Sequence, residues 1–250
     1  MKVIKDIYYT AVHHEEKKLD LYLPDAEEFD IFVCFHGGGM EHGDKSGYVP
    51  NMIDYLVKKG IAVASANYRM YPEAQYPEFI KDAAAAVAWV KSNIDNYGKH
   101  KRLFVGGSSA GGYLSMMLCF DKRFLAPHEM SPLDIDAFIH NAGQPTAHFN
   151  LLRERGIDSR RVIIDESAPI YHIGTEENYP NMLFIVATND MENRYEQTML
   201  ALSTLKHFGH EEKTALKVME GYNHCGYDDE LDENGESIFG KVIYDYVNSL

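Results

Sequence analysis

Residues 105–112, with the sequence VGGSSAGG, lie where an apolar run ends and a helical pattern begins, and this stretch decides the expected fold. The pattern Gly-x-Ser-x-Gly fits in one register only, with Ser109 at its centre, because a register one residue earlier would require glycine where Ala110 stands. The flanking Gly107 and Gly111 remove the Cβ atoms that would clash in a sharp strand-to-helix turn. The sequence therefore predicts that the Ser109 hydroxyl projects above a sheet, over a helix N-terminus that favours developing negative charge.

Short apolar runs alternate with longer helical patterns on both sides of this stretch. The predicted strands cover residues 3–10, 17–23, 29–35, 61–66, 103–105, 135–140, 182–187 and 215–219. The predicted helices cover residues 48–59, 109–118, 195–208 and 236–247, together with one that begins at Pro77. Strands that alternate with helices of this length imply right-handed crossovers and a parallel arrangement. We therefore predict an α/β fold with a mostly parallel sheet of about eight strands, helices on both faces, and an antiparallel hairpin of the first two strands at one edge.

Residues 143–178 do not follow this alternation, since their hydrophobic periodicity is weak over a length that exceeds an ordinary loop. Long irregular excursions in compact domains usually form lids or binding loops, so we predict that this segment partly covers a site. The chain contains no internal repeat, low-complexity tract or Pro/Ser linker. One domain over residues 1–250 is therefore expected.

A second glycine-rich motif, HGGG at residues 36–39, follows another apolar run. It is therefore expected at a carboxyl end of the sheet, where open α/β folds bind their ligands. The main-chain N–H groups of Gly38 and Gly39 can turn toward a ligand without side-chain obstruction. Together with the N–H of Ala110, they are predicted to form an oxyanion hole. His36 is expected to brace this loop rather than act as a base.

A serine hydroxyl is a weak nucleophile until an imidazole takes its proton, and the imidazole needs a carboxylate to fix its tautomer. In an architecture of this kind, the acid and then the histidine follow the serine along the chain. Asp190 follows the apolar run at residues 182–187, and His224 follows the run at residues 215–219. Both are expected at the same edge of the sheet as Ser109, so the sequence predicts a triad of these three side chains.

Other side chains near these positions are alternatives for the same roles. Glu192 and Asp228 are rival acids. His207 lies in a predicted helix and His210 precedes a predicted strand, so neither is placed to serve as the base. Cys225 is expected to be a packed thiol, because no second histidine is positioned to activate it.

Composition excludes several classes of partner. The 250 residues carry 24 Lys and Arg against 38 Asp and Glu, and the formal net charge of −14 disfavours nucleic acid as a ligand. The longest apolar runs, such as residues 61–66, are far shorter than the ~20 residues that span a bilayer. The first ten residues lack a signal-peptide apolar core, and the 3 cysteines cannot close a disulfide framework. We therefore expect a cytoplasmic protein without a nucleic-acid or membrane partner.

No cofactor or metal is predicted. The cluster His13-His14-Glu15-Glu16 lies in a polar turn between predicted edge strands, where a solvated loop is the simpler interpretation. The chain contains neither an H-E-x-x-H motif nor paired C-x-x-C motifs, and no G-x-G-x-x-G follows a strand.

These motifs resemble those of the α/β-hydrolase serine esterases of the HGGG type, which include hormone-sensitive-lipase-like enzymes and bacterial sugar-deacylating acetyl esterases. The resemblance extends from about Leu19 to the C-terminus. The matching residues are His36 to Gly39, Gly43-Asp44, Asn67-Tyr68-Arg69, Tyr76-Pro77, Asp82, Ala86, Trp89, Gly107 to Gly112, Asp190 and His224. Met40 departs from the aromatic residue that often follows the glycines, and the N-terminal segment is too short for the helical cap of the lipase-like branch. The resemblance thus implies a capless enzyme that removes acyl groups from sugars.

The sequence as a whole predicts a serine carboxylic-ester hydrolase that cleaves short-chain acyl esters, with acetyl groups on sugars or oligosaccharides as the expected substrates. Hydrolysis of an aryl formamide by the same triad is one alternative. A non-catalytic binding module that kept the fold is another. The alcohol part of the substrate and the oligomeric state are left open.

Overall fold

The apolar runs of the sequence become strands of one sheet in the computed structural model, which describes residues 1–250. The strands are β1 (Lys2–Tyr8), β2 (Lys18–Leu23), β3 (Glu28–Phe35), β4 (Ile61–Ala66), β5 (Lys99–Ser108), β6 (Ala137–Asn141), β7 (Asn181–Asn189) and β8 (Thr214–Asn223). The helices are α1 (Pro50–Lys58), α2 (Glu78–Asn93), α3 (Ala110–Phe120), α4 (Phe149–Glu154), α5 (Arg194–His207) and α6 (Ile238–Asn248). No helix combines the length and apolar character that a membrane crossing requires.

The strands follow the order β1-β2-β4-β3-β5-β6-β7-β8 across the 8-stranded sheet. The pairs β1–β2 and β2–β4 are antiparallel, and every other neighbouring pair is parallel. This topology confirms the predicted α/β fold with a mostly parallel sheet and an antiparallel hairpin at one edge.

Alternate side chains of each central strand enter two separate core clusters. In β3, Ile31 and Val33 are buried in the cluster that includes residues of α2, α3 and α5, whereas Phe32 and Cys34 are buried with residues of α1 and α6. Strands buried on both faces read as continuous apolar runs, because neither set of alternating side chains meets solvent. The helices therefore cover both faces of the sheet, as predicted.

Three strands are longer than hydropathy predicts. β5 begins at Lys99 rather than at residue 103, β7 continues to Asn189, and β8 continues to Asn223. The added ends carry polar and exposed residues, so only the backbone ladder reveals them as strand. Asn189 pairs directly with Asn223 across β7 and β8. This pairing brings the residues that follow each strand, Asp190 and His224, to the same edge of the sheet.

A buried ion pair anchors the loop that follows β4. Arg69 donates to both carboxylate oxygens of Asp82, over 2.7 and 2.8 Å, and Asp82 is only 2% exposed. Lys17 contacts the same carboxylate at 2.9 Å. The Arg69 and Asp82 motif residues thus tie this loop to α2.

Residues 143–178 form α4 and a short 3₁₀ turn at Pro169–His172, with irregular structure elsewhere. Gln144, Phe149 and Arg153 of this segment line cavities next to Ser109. The segment therefore contributes walls to the site described next.

Candidate active site

Three side chains from distant parts of the chain form one line of hydrogen bonds. The Nε2 atom of His224 lies 2.8 Å from Ser109 Oγ, and its Nδ1 atom lies 2.6 Å from Asp190 Oδ1. A carboxylate can only accept, so Nδ1 carries the proton in this pair and Nε2 is left to accept the proton of the Ser109 hydroxyl. The structure brings together the serine, histidine and acid that the sequence selected.

The backbone around Ser109 explains why this hydroxyl is presented to solvent. Ser109 is the single residue between β5 and α3, and its φ of 55° lies in the left-handed region that side chains rarely adopt. A Cβ atom on Gly107 or Gly111 would overlap the carbonyl oxygen of Phe35. Glycine at these two positions therefore permits the close approach of α3 to β3 that the turn requires.

Asp190 is held as a carboxylate beside the imidazole. Its side chain is 1% exposed, compared with 23% for that of His224. Burial by itself would raise the pKa of Asp190, but the hydrogen bond and positive charge of His224, with the Met191 N–H at 2.7 Å, hold that pKa below its usual value. The rival acids Glu192 and Asp228 form no ion pair with His224.

The glycine motif at residues 36–39 packs directly against the serine. A Cβ atom on Gly37 would lie 3.4 Å from Ser109 Cβ, so the two motifs are in contact. Gly38 and Gly39 adopt φ values of 102° and 63°, and their N–H groups form no hydrogen bond within the protein. Ala110 begins α3, where the first N–H groups lack intrahelical acceptors. These groups are donors without partners around the Ser109 hydroxyl.

His36 holds this glycine loop in place through contacts of its ring and its carbonyl group. Its ring stacks on that of Tyr68 with centroids 4.5 Å apart, and the Tyr68 hydroxyl donates to the His36 carbonyl over 2.9 Å. The Nδ1 atom of His36 lies 2.7 Å from the carbonyl oxygen of Gly37. Burial lowers the pKa of His36, so its neutral ring braces the loop, in the role that the sequence suggested.

A buried polar network lies beneath the triad, and sequence reasoning missed it. The Asn141 amide donates over 2.8 Å to both Ser108 Oγ and Asp228 Oδ1. The Tyr227 hydroxyl donates to Asn141 Oδ1 over 2.5 Å, and the Tyr48 hydroxyl lies 2.7 Å from Ser108 Oγ. Burial raises the pKa of Asp228 to about 6, against the opposing effect of its hydrogen bonds from Ser108 and Asn141. Nothing in the spacing of these residues along the chain indicates that they meet.

The thiol of Cys225 is unsuited to nucleophilic attack. Burial, and then the negative charges of Asp228 and Asp190, raise its pKa well above the usual value. A thiol kept protonated in this way is a poor nucleophile, which agrees with its expected role as a packed side chain.

The Ser109 hydroxyl opens into a cavity of about 570 Å³. Its walls come from the glycine motif, the loop before α1, α4 and the loops after β7 and β8. Of 17 lining residues only 5 are hydrophobic, among them Tyr48, Phe149 and Met191. The Phe149 ring lies over Gly39, where an added Cβ would meet its edge at 3.1 Å. An aromatic ring thus bounds the cavity at one side.

No group of three or more His, Cys, Asp or Glu side chains is arranged to hold a metal ion. In the polar cluster near the N-terminus, His14 pairs instead with Glu73 at 2.9 Å, and Glu15 accepts from Tyr8 at 2.9 Å and from Lys18 at 2.7 Å.

The elevated pKa of Asp228 leads to a prediction about stability. The folded chain binds this proton more tightly than the unfolded chain does, so folding becomes less favourable as pH rises from about 4 to about 6. The substitution Asp228→Asn removes that cost. The free energy of unfolding of the variant, relative to wild type, should therefore increase by ~2 kcal/mol between about pH 4 and about pH 7.5, as measured by urea unfolding. The exposed neighbour Asp229 provides the matched control, Asp229→Asn. An equal difference at both pH values would contradict the prediction.

Comparison with known proteins supports the same architecture. The family model BD-FAE matches residues 19–141. Esterase LipI of Mycobacterium tuberculosis is 35% identical over 133 residues, which cover 46% of this chain and 42% of that protein. Esterase LipC of the same organism is 26% identical over 197 residues, or 70% of this chain and 48% of that protein. The chain thus spans less than half the length of these curated relatives.

Solved structures show the fold over the whole chain. A truncated form of a carbohydrate esterase from gut microbiota superposes with a TM-score of 0.77 at 19% identity, covering 100% of this chain and 96% of that one. An esterase from Thermogutta terrifontis gives a TM-score of 0.74 at 22% identity, covering 98% and 90% of the two chains. Sheet topology and the likeness to these solved structures show that the chain shares their α/β fold.

Proposed function

We propose that this chain is a serine carboxylic-ester hydrolase in which Ser109 is the nucleophile, His224 the general base and Asp190 the acid that orients it. The proposal rests on the line of hydrogen bonds that these side chains form. His224 Nε2 lies 2.8 Å from Ser109 Oγ, and His224 Nδ1 lies 2.6 Å from Asp190 Oδ1. The unpartnered N–H groups of Gly38 and Gly39 lie on the same cavity and supply the second requirement, donors for an oxyanion.

The reaction proceeds through an acyl-enzyme. Ser109 Oγ attacks the ester carbonyl carbon while His224 Nε2 takes the hydroxyl proton. The N–H groups of Gly38, Gly39 and Ala110 stabilise the negative oxygen of the tetrahedral intermediate. The C–O bond to the alcohol then breaks, and the alkoxide leaves with the proton from His224.

Water then hydrolyses the acyl-enzyme by the same two steps, addition and collapse. His224 takes a proton from the water molecule, the hydroxide adds to the acyl carbon, and collapse of the second intermediate returns the proton to Ser109 Oγ. The carboxylic acid is released. Throughout, the buried carboxylate of Asp190 stabilises the imidazolium that forms at each step.

The proposed substrates are short-chain acyl esters, in particular acetyl groups on sugars or oligosaccharides. The Phe149 ring beside Gly39 limits the space near the predicted oxyanion hole. The carbohydrate esterase among the structural neighbours supports the sugar assignment by analogy of fold.

Two alternatives use the same scaffold. Hydrolysis of an aryl formamide would require the same triad, and nothing in the cavity walls argues against an amide. A non-catalytic binding module would not need the aligned contacts from Ser109 to His224 and from His224 to Asp190, so the geometry favours an enzyme.

Loss of the nucleophile tests the mechanism. Ser109→Ala should lower kcat for 4-nitrophenyl acetate by a factor on the order of 10⁴–10⁶, because Ser109 carries the hydroxyl that is hydrogen-bonded to His224. The adjacent Ser108→Ala is the matched control and should lower kcat by less than about tenfold, since the Ser108 hydroxyl, although it lies on the cavity wall, is hydrogen-bonded to Asn141 and Tyr48 and not to His224. A fluorophosphonate should label wild type at Ser109. More than a tenth of the wild-type rate in Ser109→Ala would rule out the proposed nucleophile.

Substitution of each acid by its amide distinguishes Asp190 from Glu192, the alternative acid nearest to it in the sequence. Asp190→Asn should lower kcat by a factor on the order of 10³–10⁴, because the amide cannot hold the imidazole in the required tautomer. Glu192→Gln should change kcat for the same neutral ester by less than about threefold, since Glu192 does not contact His224. Equal losses in the two variants, measured at saturating substrate, would exclude Asp190 as the specific partner.

Substrate preference is tested by acyl length and leaving group. Among 4-nitrophenyl esters, kcat/KM should fall steeply beyond butyrate, because the Phe149 ring beside Gly39 limits the space for a longer acyl chain. Acetate should be released from acetylated xylo- and manno-oligosaccharides, as followed by chromatography. A preference for octanoate or longer would contradict the short-chain proposal. Higher kcat/KM on N-formyl aryl amides than on acetyl esters would favour the formamidase alternative.

A further inference from the structure

A second cavity, of about 460 Å³, adjoins the one that holds Ser109. The two cavities share three lining residues, Phe149, Arg153 and Met191. A substrate bound at Ser109 therefore needs to extend past only these side chains to enter the second space.

The walls of this second cavity are strongly basic. Of its 12 lining residues, four are arginines and Glu192 is the only acid: the arginines are Arg153, Arg160, Arg161 and Arg194. The chain as a whole carries a formal net charge of −14. The local charge thus opposes the global charge, and clefts lined by one sign of charge concentrate ligands of the other sign.

Arg194 is the buried member of this group. The residue is 3% exposed and forms no ion pair with any carboxylate. Its guanidinium donates to the Ala142 carbonyl oxygen and, over 3.4 Å, to Gln144 Oε1. These bonds use only part of its five donors. Burial of this cation without a direct ion pair carries an unfavourable desolvation free energy, which the charge of nearby Asp190 offsets in part and a bound anion would offset further.

Two of the exposed arginines also keep their charge available. Arg161 forms no side-chain ion pair, and Arg153 meets only Glu41, at 3.5 Å. The Arg153 guanidinium also lies 5.0 Å from the centre of the Phe149 ring, on the wall that the two cavities share. Arg160, by contrast, is bound to Asp158 through contacts of 2.5 to 3.1 Å. Arg153, Arg161 and Arg194 are therefore the side chains placed to receive an anion.

We propose that this second cavity is an anion subsite that binds a carboxylate carried by the ester substrate, through Arg153, Arg161 and Arg194. Planar guanidinium groups bind carboxylates through paired hydrogen bonds. The inference rests on the proposed esterase function and narrows its substrates to acidic esters, such as acyl esters of acidic sugars. The carboxylate could lie on the alcohol part or on the acyl part of the ester.

Two substrate pairs distinguish these sources. For the alcohol part, 4-acetoxybenzoate is compared with 4-acetoxybenzamide. For the acyl part, 4-nitrophenyl hydrogen adipate is compared with its methyl ester. The measured quantity is the ratio of kcat/KM for the charged ester to that for the neutral ester, so that general effects of a substitution on catalysis cancel.

The variants are Arg161→Gln and the double variant Arg153→Gln/Arg161→Gln, which avoid disturbing the buried Arg194. One substrate pair carries the carboxylate on the part of the ester that the subsite binds. In that pair, the ratio should fall about tenfold in the double variant, because charge-assisted hydrogen bonds to the carboxylate are lost. Raising the salt concentration should lower the wild-type ratio as well. Arg123→Gln is the matched control, because Arg123 is paired with Asp121 and Glu166 outside both cavities and should leave the ratio unchanged.

The outcomes separate this inference from the esterase proposal. Hydrolysis of the neutral esters, with a ratio in the double variant within about twofold of wild type in both pairs, would overturn the anion subsite and leave the esterase function standing. If no ester is hydrolysed, the esterase proposal fails, and calorimetric titration of adipate into Ser109→Ala tests the subsite alone. Binding that weakens about tenfold on adding Arg153→Gln/Arg161→Gln would support the subsite. Absence of adipate binding would overturn it.

Discussion

The close approach of α3 to the carboxyl end of β3 is the constraint on which the site depends. The Phe35 carbonyl oxygen occupies the space that a Cβ atom on Gly107 or Gly111 would need. With glycine there, the chain turns from β5 into α3 at the single residue Ser109, whose φ of 55° is held by the elements on either side. Backbone strain of this kind persists only where surrounding structure over-determines it, and here the sheet and α3 do so.

The parallel sheet supplies the second and third members of the site. Asn189 and Asn223 are paired across β7 and β8, so Asp190 and His224 leave the sheet side by side. The contact of 2.6 Å between them follows from that register, and the imidazole then reaches Ser109 across the strand ends. Each of these side chains is attached next to the end of a hydrogen-bonded strand or the start of a helix, where backbone positions are well determined.

Acidic and basic side chains lie on different sides of Ser109. Beneath it, Asp228 is buried with Asn141 and Ser108, and its pKa is raised to about 6 by that burial. Beside it, Arg194 is buried without an ion pair and faces a cavity with three further arginines. A protein with a net charge of −14 thus concentrates positive charge where a substrate would extend from the nucleophile. In the proposed enzyme, this arrangement attracts acidic esters while the triad performs the same chemistry on any ester.

The sequence by itself determined the α/β fold, the two glycine motifs, and Ser109 and His224 as candidate site residues. Hydropathic alternation and glycine requirements are local properties, and they can be read without knowing which segments meet. Tertiary structure decided which carboxylate contacts His224. Asp190, Glu192 and Asp228 are all acidic, and only their positions in the folded chain distinguish them. Tertiary structure also decided that Asp228 joins Asn141, and that Arg153, Arg161 and Arg194 surround one cavity. These arrangements depend on strand register and on packing between segments distant in sequence, which no local pattern encodes.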